Sequence, residues 1–316
     1  EFVKVYRYYL YYYLYLTKEI KRILKETSNK YLIVALLFGI TFHGSAIFFT
    51  IENTYDALIH LFFGNHYATS WFEPWNYSWY TGFTVMGYPP LVHQTIGMLS
   101  YVGGLKFGMF TVAIVGVFLF ITGAFQYTVL ITGNRTVAGY AAIVAVISSS
   151  FVETLHVFGQ LPSIIGISLL MHAMPEIYLY IRTGKRKYFF TSLSLIAVTV
   201  CSHHVTPLFG MVFFISPLLG MAIMDASREQ VTSYKEITFR LFFKTFVSLF
   251  RRIVLFCGSA IFLIVFCILP YWINSKANPI TQVPIPHGSR DNFLEVTSSG
   301  LMFFLIPWGI LLFILP

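Results

Sequence analysis

An unbroken apolar stretch occupies residues 253–273, with the sequence IVLFCGSAIFLIVFCILPYWI, and carries no charged side chain. An α-helix rises about 1.5 Å per residue, so about 20 such residues cross the roughly 30 Å hydrocarbon core of a bilayer. Similar stretches recur along the chain, which predicts an all-α, polytopic transmembrane helix bundle of about eight spans. The predicted spans cover residues 31–50, 106–131, 137–152, 161–181, 188–202, 206–224, 253–273 and 300–316.

The overall composition agrees with this class of protein. Of the 316 residues, 57% are apolar and 11% are charged, and the mean hydropathy is +0.71. A soluble domain carries about 25% charged residues, because they cover its surface. The composition therefore excludes an ordinary soluble domain and predicts an integral membrane protein.

The basic residues lie almost wholly in alternate connections between the predicted spans. The chain has 21 Lys and Arg, and all but Lys106, Lys276 and Arg290 fall on the side that holds the N-terminus. Because cytoplasmic loops accumulate basic residues, we predict a cytoplasmic N-terminus and an extracytoplasmic active face. Contact of the basic loops with anionic lipid accounts for the net charge of +8, so no nucleic-acid partner is predicted.

The connections suggest a division of the chain into regions. Residues 1–30 hold seven Tyr and a basic stretch, typical of a cytoplasmic interfacial helix, and they are the candidate surface for partner subunits. Residues 31–316 form the transmembrane domain. Because the sequence stops inside an apolar run, we expect the natural protein to continue. Within the domain we predict a long structured first outer loop at 51–105, a cytoplasmic amphipathic helix at 226–252 and an outer loop at 274–299.

The first outer loop carries the best candidates for catalysis. Apolar spacing after Ile51 predicts a helix along the membrane surface, with Asn53 or Thr54 as its N-cap. On that helix Glu52, Asp56 and His60 share one face at i,i+4 spacing. A carboxylate beside an imidazole suits a general base or part of a metal site. The alternative is a capping carboxylate with a solvated His.

An aromatic segment follows in the same loop, with the sequence WFEPWNYSWYTGF at residues 71–83. Trp and Tyr prefer the headgroup level of a membrane, so an aromatic belt alone would explain them. Glu73 and the Gly and Pro residues instead favour a folded loop over a site, with Trp75 available to stack on a sugar ring.

Several short patterns resemble one known family. They are Asp56-x-x-x-His60, the pair Pro74-Trp75, the run Tyr88-Pro89-Pro90-Leu91, the run from Phe158 to Pro162 (FGQLP) and the run from His203 to Pro207 (HHVTP). Together they resemble the GT-C superfamily of membrane glycosyltransferases, nearest its branch described as "6-pyruvoyl-tetrahydropterin synthase-related" membrane proteins. The resemblance covers about residues 31 to 225 and is strongest at 52–91.

The resemblance implies a GT-C-like fold in the cell envelope. It also implies transfer of a sugar from a polyprenyl-phosphate carrier to an extracytoplasmic acceptor. Asp56 matches the general base of that family. A departing lipid phosphate needs cationic donors, for which His203, His204 and Arg290 are the candidates, with Gln160 also near the substrate.

A divalent cation is a further expectation from the resemblance. Glu153 and His156 lie three residues apart, and together with Asp56 they could ligate Mg or Mn. The alternative is an interfacial hydrogen-bond cluster. His43 and His172 fall inside apolar spans, where we expect polar groups that are paired within the bundle.

Two other classes of protein compete with the enzyme. The first is a catalytically inactive scaffold or accessory subunit of a larger membrane complex, built on the same fold. The second is a transporter, which would place its charged site near mid-membrane, often between repeated halves. The acidic residues lie instead at the predicted outer boundary, and no internal repeat is evident.

Overall fold

A computed structural model describes residues 29–78 and 82–277 of the chain. These residues form a bundle of α-helices with one two-stranded sheet, which confirms the all-α prediction. The helices are α1 Lys30–Thr50, α2 Ala57–Thr69, α3 Leu91–Thr132, α4 Arg135–Ile147, α5 Ser149–Val152, α6 Leu161–Thr183, α7 Arg186–Ser202, α8 Val205–Gly210, α9 Ser216–Arg228 and α10 Phe239–Ala277. The short strands β1 Trp75–Asn76 and β2 Phe83–Thr84 pair antiparallel. The predicted N-terminal helix at 1–30, most of the loop at 274–299 and the span at 300–316 lie outside the described residues.

Five helices in the described ranges are long and apolar enough to cross a membrane. They are Lys30–Asn53, Leu91–Thr132, Leu161–Thr183, Val205–Arg228 and Phe239–Pro270. A sixth crossing is possible where Arg135–Ile147 and Ser149–Phe158 form a pair bent by 48°. The prediction of about eight spans is therefore not confirmed, and one of the eight, at 300–316, lies outside the described residues. The segment predicted at 188–202 forms the 17-residue helix α7, which is shorter than the roughly 20 residues of a full crossing.

The segment predicted as the first outer loop, residues 51–105, is mostly helical. It contains α2, the small sheet and the first part of α3, which bends at Gly104, where φ is 85°. Helices α2 and α3 cross closely at Gly97, where a Cβ would lie 2.8 Å from the Gly64 carbonyl oxygen. The loop is therefore a packed helical pair closed by a hairpin, consistent with the predicted structured loop.

The predicted amphipathic helix at 226–252 is not a separate element. Residues 239–252 are the first part of the 39-residue helix α10, which continues without a break into the apolar span. A turn follows α9 and contains a short 3-10 helix, Tyr234–Glu236. Within α10, Thr245, Leu249 and Phe256 are buried against the bundle. The predicted segment therefore covers the end of α9, the turn and the start of α10, because local charge and apolar spacing do not show where one helix ends and the next begins.

The buried core has two parts. One is formed by α1, α3, α4 and the start of α6, around Ile47, Met109 and Ile121. The other is formed by α6, α7, α9 and α10, around Met174, Ile196 and Phe256. Helix α6 contributes to both parts, so it occupies the middle of the bundle.

The two ends of the bundle differ in charge. At one end, Arg135 donates to Asn29 Oδ1, with Nη2 at 2.7 Å. At the same end Arg252 Nη1 donates to the carbonyl oxygens of Ile181 and Arg182, both at 2.8 Å. We call this the basic end. The opposite end, where residues 51–60 meet residues 153–160, is called the site end. The predicted orientation, with a cytoplasmic N-terminus and the site end outside, stays a prediction.

Candidate active site at the site end

Asp56 is the residue immediately before α2 and serves as its N-cap position, in place of the predicted Asn53 or Thr54. Its backbone N–H donates to Phe158 O at 2.9 Å, and that of Tyr55 donates to Val157 O at 3.1 Å. The carboxylate is half-buried and makes no capping hydrogen bond. It is thus held in place by its backbone while its oxygens stay available.

Glu52 does not share a helical face with Asp56, so this part of the prediction is wrong. Glu52 lies in a separate 3-10 turn, Ile51–Asn53, and Thr54 is extended between that turn and α2. Its carboxylate pairs instead with Lys106 Nζ at 2.7 Å, and both side chains are exposed. The assumption of one continuous helix missed this break.

His60 lies beneath Asp56, one turn along α2, and is only 1% exposed. Its Nε2 is 2.8 Å from Gly159 O, and its Nδ1 is 2.9 Å from His93 Nε2. Burial lowers the pKa of His60, while the Gly159 carbonyl and the Asp56 charge act in the opposite direction. With both ring nitrogens bonded, His60 supports the site and is not placed to contact a substrate, contrary to its predicted catalytic role.

His93 belongs to the same site although the sequence analysis did not select it. It is fully buried, and its ring lies 5.0 Å from Phe63 and 5.2 Å from Tyr88. One sequence signal could have revealed it. His93 shares an apolar helical face with Ile96 and Gly97, at spacings of three and four residues, and a His on such a face needs a polar partner.

The aromatic segment folds as a hairpin tied to the far end of α2. His66 Nε2 donates to Glu73 O at 2.8 Å, and Asn76 Nδ2 donates to His66 Nδ1 at 3.0 Å. Glu73 Oε1 accepts from the Trp75 backbone N–H at 3.3 Å. His66 follows Asp56 by ten residues, or about 15 Å along the helix. Glu73 and Trp75 therefore stabilise the hairpin through these contacts and do not lie beside Asp56, where a substrate-binding role was predicted.

The predicted metal ligands do not form a ligating group. Across 29–78 and 82–277, no three His, Cys, Asp or Glu residues lie together in a way that could hold a metal ion. Glu153 is exposed, whereas His156 Nε2 is 2.7 Å from His43 Nδ1. The reason is local: Glu153–Phe158 is a π-helix, whose longer turn moves residues at i,i+3 off one face.

The two histidines inside apolar spans are both paired, as predicted. His43 Nε2 donates to Val146 O at 2.8 Å, beside the break between α4 and α5. His172 contacts Gln126 Oε1 at 3.0 Å and Thr122 Oγ1 at 3.1 Å. The bond of His43 is buried, whereas Gln126, one partner of His172, is exposed at the surface of the bundle.

His203 and His204 lie between α7 and α8, next to the start of α6. His203 Nδ1 is 2.8 Å from Thr206 Oγ1, and its Nε2 is 3.4 Å from Ser163 Oγ. Burial, aided by His204, lowers the pKa of His203 to about 4, and burial lowers the pKa of His204 as well. Both are therefore neutral near pH 7, which does not fit the predicted role of cationic phosphate donors.

Gln160 occupies the N-cap position of α6, is half-buried, and donates from its backbone N–H to Thr154 O at 3.0 Å. The start of α6 is thus approached both by the segment bonded to Asp56 and by His203. Arg290 lies outside the described residues.

The chain matches no family model, no curated protein and no solved structure. The resemblance to GT-C glycosyltransferases accordingly stays a prediction.

Proposed function

We propose that this membrane protein is a GT-C-like glycosyltransferase that moves a sugar from a polyprenyl-phosphate carrier to an extracytoplasmic acceptor, with Asp56 as general base. The observation that carries the proposal is the state of the Asp56 carboxylate. It is half-exposed at the site end, fixed through its backbone to Phe158, and not used to cap α2. An Asp at an N-cap position ordinarily accepts from a backbone N–H, so an unused carboxylate there is available for chemistry.

The proposed step balances as an inverting displacement. Asp56 accepts the proton of the acceptor hydroxyl while the oxygen of that hydroxyl forms a bond to the anomeric carbon of the sugar. The bond from that carbon to the phosphate oxygen breaks, and polyprenyl phosphate leaves with the electron pair.

The leaving phosphate requires hydrogen-bond donors near the start of α6. His203 and His204 lie there, but both ring nitrogens of His203 are already within hydrogen-bond distance of Thr206 and Ser163. Arg290 is the proposed cationic donor. No step of this proposal needs a divalent cation.

The test is a transfer assay in proteoliposomes with a panel of polyprenyl-phosphate hexoses and pentoses and an envelope glycolipid extract as acceptor. Release of polyprenyl phosphate is measured. Wild type is expected to release it with at least one donor, and Asp56→Asn is expected to lose about 100-fold or more of the rate, as removal of a general base does. Glu52→Gln is the matched control, an exposed carboxylate at the same end that pairs with Lys106. Equal rates for wild type and Asp56→Asn would refute the assignment, and no release with any donor would refute the function.

An inactive scaffold subunit is the second candidate, favoured by the hairpin. Phe72 is 94% exposed and Tyr77 is 78% exposed, although their neighbours in the hairpin are bonded into it. Exposed aromatic side chains are typical anchors for a partner protein. A stoichiometric partner that is lost with Phe72→Ala and Tyr77→Ala, but kept with Asp56→Asn, would support this candidate.

A further inference from the structure

We propose that His93 is a positioning residue for Asp56, acting through His60. The inference rests on the proposed function only for the role of Asp56, and its structural part can be tested without any substrate.

In the neutral pair, the well-formed contact with Gly159 favours one arrangement of protons over the alternative in which His93 donates to the Pro89 carbonyl. Gly159 O can only accept, so His60 Nε2 must carry a proton. His60 Nδ1 is then a lone pair, and His93 Nε2 must donate to it across 2.9 Å. The remaining nitrogen, His93 Nδ1, is then unprotonated, and no donor group of the described residues reaches its lone pair. This atom is buried and makes no well-formed hydrogen bond in the described structure, although the Pro89 carbonyl lies near it.

The His60–His93 pair completes a contact between two segments, residues 54–60 and residues 157–159. We call this contact the clasp. Gly159 follows the π-helix with φ of 67°, and a Cβ there would overlap the Thr54 hydroxyl oxygen. On the other side, the backbone of Tyr55 and Asp56 is bonded to Val157 and Phe158. The bond from His60 to Gly159 joins the first turn of α2 to the same segment, so it holds the residue that carries the carboxylate.

His93 determines whether that clasp stays closed. Without a donor from His93, His60 Nδ1 becomes a buried lone pair with no partner, which costs free energy. His60 can regain a partner for Nδ1 only by turning its ring toward water, which breaks the bond from Nε2 to Gly159 O. Loss of His93 should thus open the clasp, even though His93 is fully buried and touches no substrate.

Two substitutions separate hydrogen bonding from packing. His93→Gln keeps an N–H donor near the position of Nε2, whereas His93→Leu has a similar volume and no donor. Hydrogen exchange of peptides covering residues 52–60 reports the amides of Tyr55 and Asp56. His93→Leu should exchange about tenfold faster, the change expected for loss of one buried hydrogen bond, and His93→Gln should stay within about twofold of wild type.

The imidazole nitrogen spectrum of ¹⁵N-His-labelled protein in lipid gives a second readout that needs no variant to fold. The His60 signals should show a protonated Nε2 and an unprotonated Nδ1. In the transfer assay, His93→Leu should lower kcat with little change in KM, and His93→Gln should restore it.

The outcomes are distinct. A His60 signal with Nδ1 protonated, or equal exchange in the Gln and Leu variants, would overturn the proposal. Faster exchange in His93→Leu that Gln rescues, with no transfer by wild type, would support the clasp and refute the glycosyltransferase function.

Discussion

Gly159 offers the sharpest test of how the site end is assembled. It has φ of 67°, in the left-handed region, and a Cβ would overlap Thr54 Oγ1 and lie 2.6 Å from Thr54 Cβ. Gly133, which ends α3, has φ of 64° and no atom within 4 Å of the same position. Replacing each by Ala therefore gives the same backbone strain but only one steric clash.

The expected magnitudes follow from these two terms. Gly133→Ala should cost about 1–2 kcal/mol, the price of a left-handed backbone for an L-residue. Gly159→Ala should cost that amount plus about 1–3 kcal/mol for overpacking against Thr54. The clash with Thr54 should also push residues 54–57 away from residues 157–160 and so displace Asp56.

Thermal unfolding in detergent, monitored by tryptophan fluorescence, ranks the two variants, and hydrogen exchange of residues 52–60 localises the effect. We expect Gly159→Ala to melt below Gly133→Ala and to be the only one of the two that exchanges faster at 52–60. Thr54→Ala added to Gly159→Ala should recover part of the loss by removing the hydroxyl. Equal melting temperatures for the two Gly variants would refute the close contact.

Two further predictions concern other parts of the described structure. Burial lowers the pKa of His203 to about 4, below its unfolded value of about 6.5. As the pH falls, His203 is therefore protonated in the unfolded chain before it is protonated in the folded protein, so stability should fall as the pH drops from 6.5 toward 4. His203→Gln should flatten this pH dependence in melting curves at pH 7.5, 5.5 and 4.5. An unchanged slope in the variant would contradict the prediction. Arg252→Lys should lower stability by about 1 kcal/mol, because Nη1 donates to two of the last carbonyls of α6 while the rest of the guanidinium packs against Gly184, and an ammonium cannot replace both contacts. A melting temperature equal to that of the matched Arg251→Lys would contradict this prediction.

The sequence by itself determined the class of protein and the course of its longest helices. Long runs such as residues 253–273 must be shielded from water, and their length alone matches a bilayer. It also predicted a helix after Ile51 that includes His60, although that helix begins after Asp56 and not after Asn53 or Thr54. These features depend on neighbours along the chain, which local patterns report.

Only the tertiary structure decided which side chains meet. His60 joins His93 and Gly159 over 33 and 99 residues, and no spacing rule reaches that far. The same holds for His156, which meets His43 over 113 residues instead of joining Glu153 and Asp56 at a metal ion. Charge states also depend on tertiary structure. The sequence shows only that His203 can titrate, whereas burial beside His204 and α6 keeps it neutral. Desolvation depends on what surrounds a group in space, which local sequence does not report.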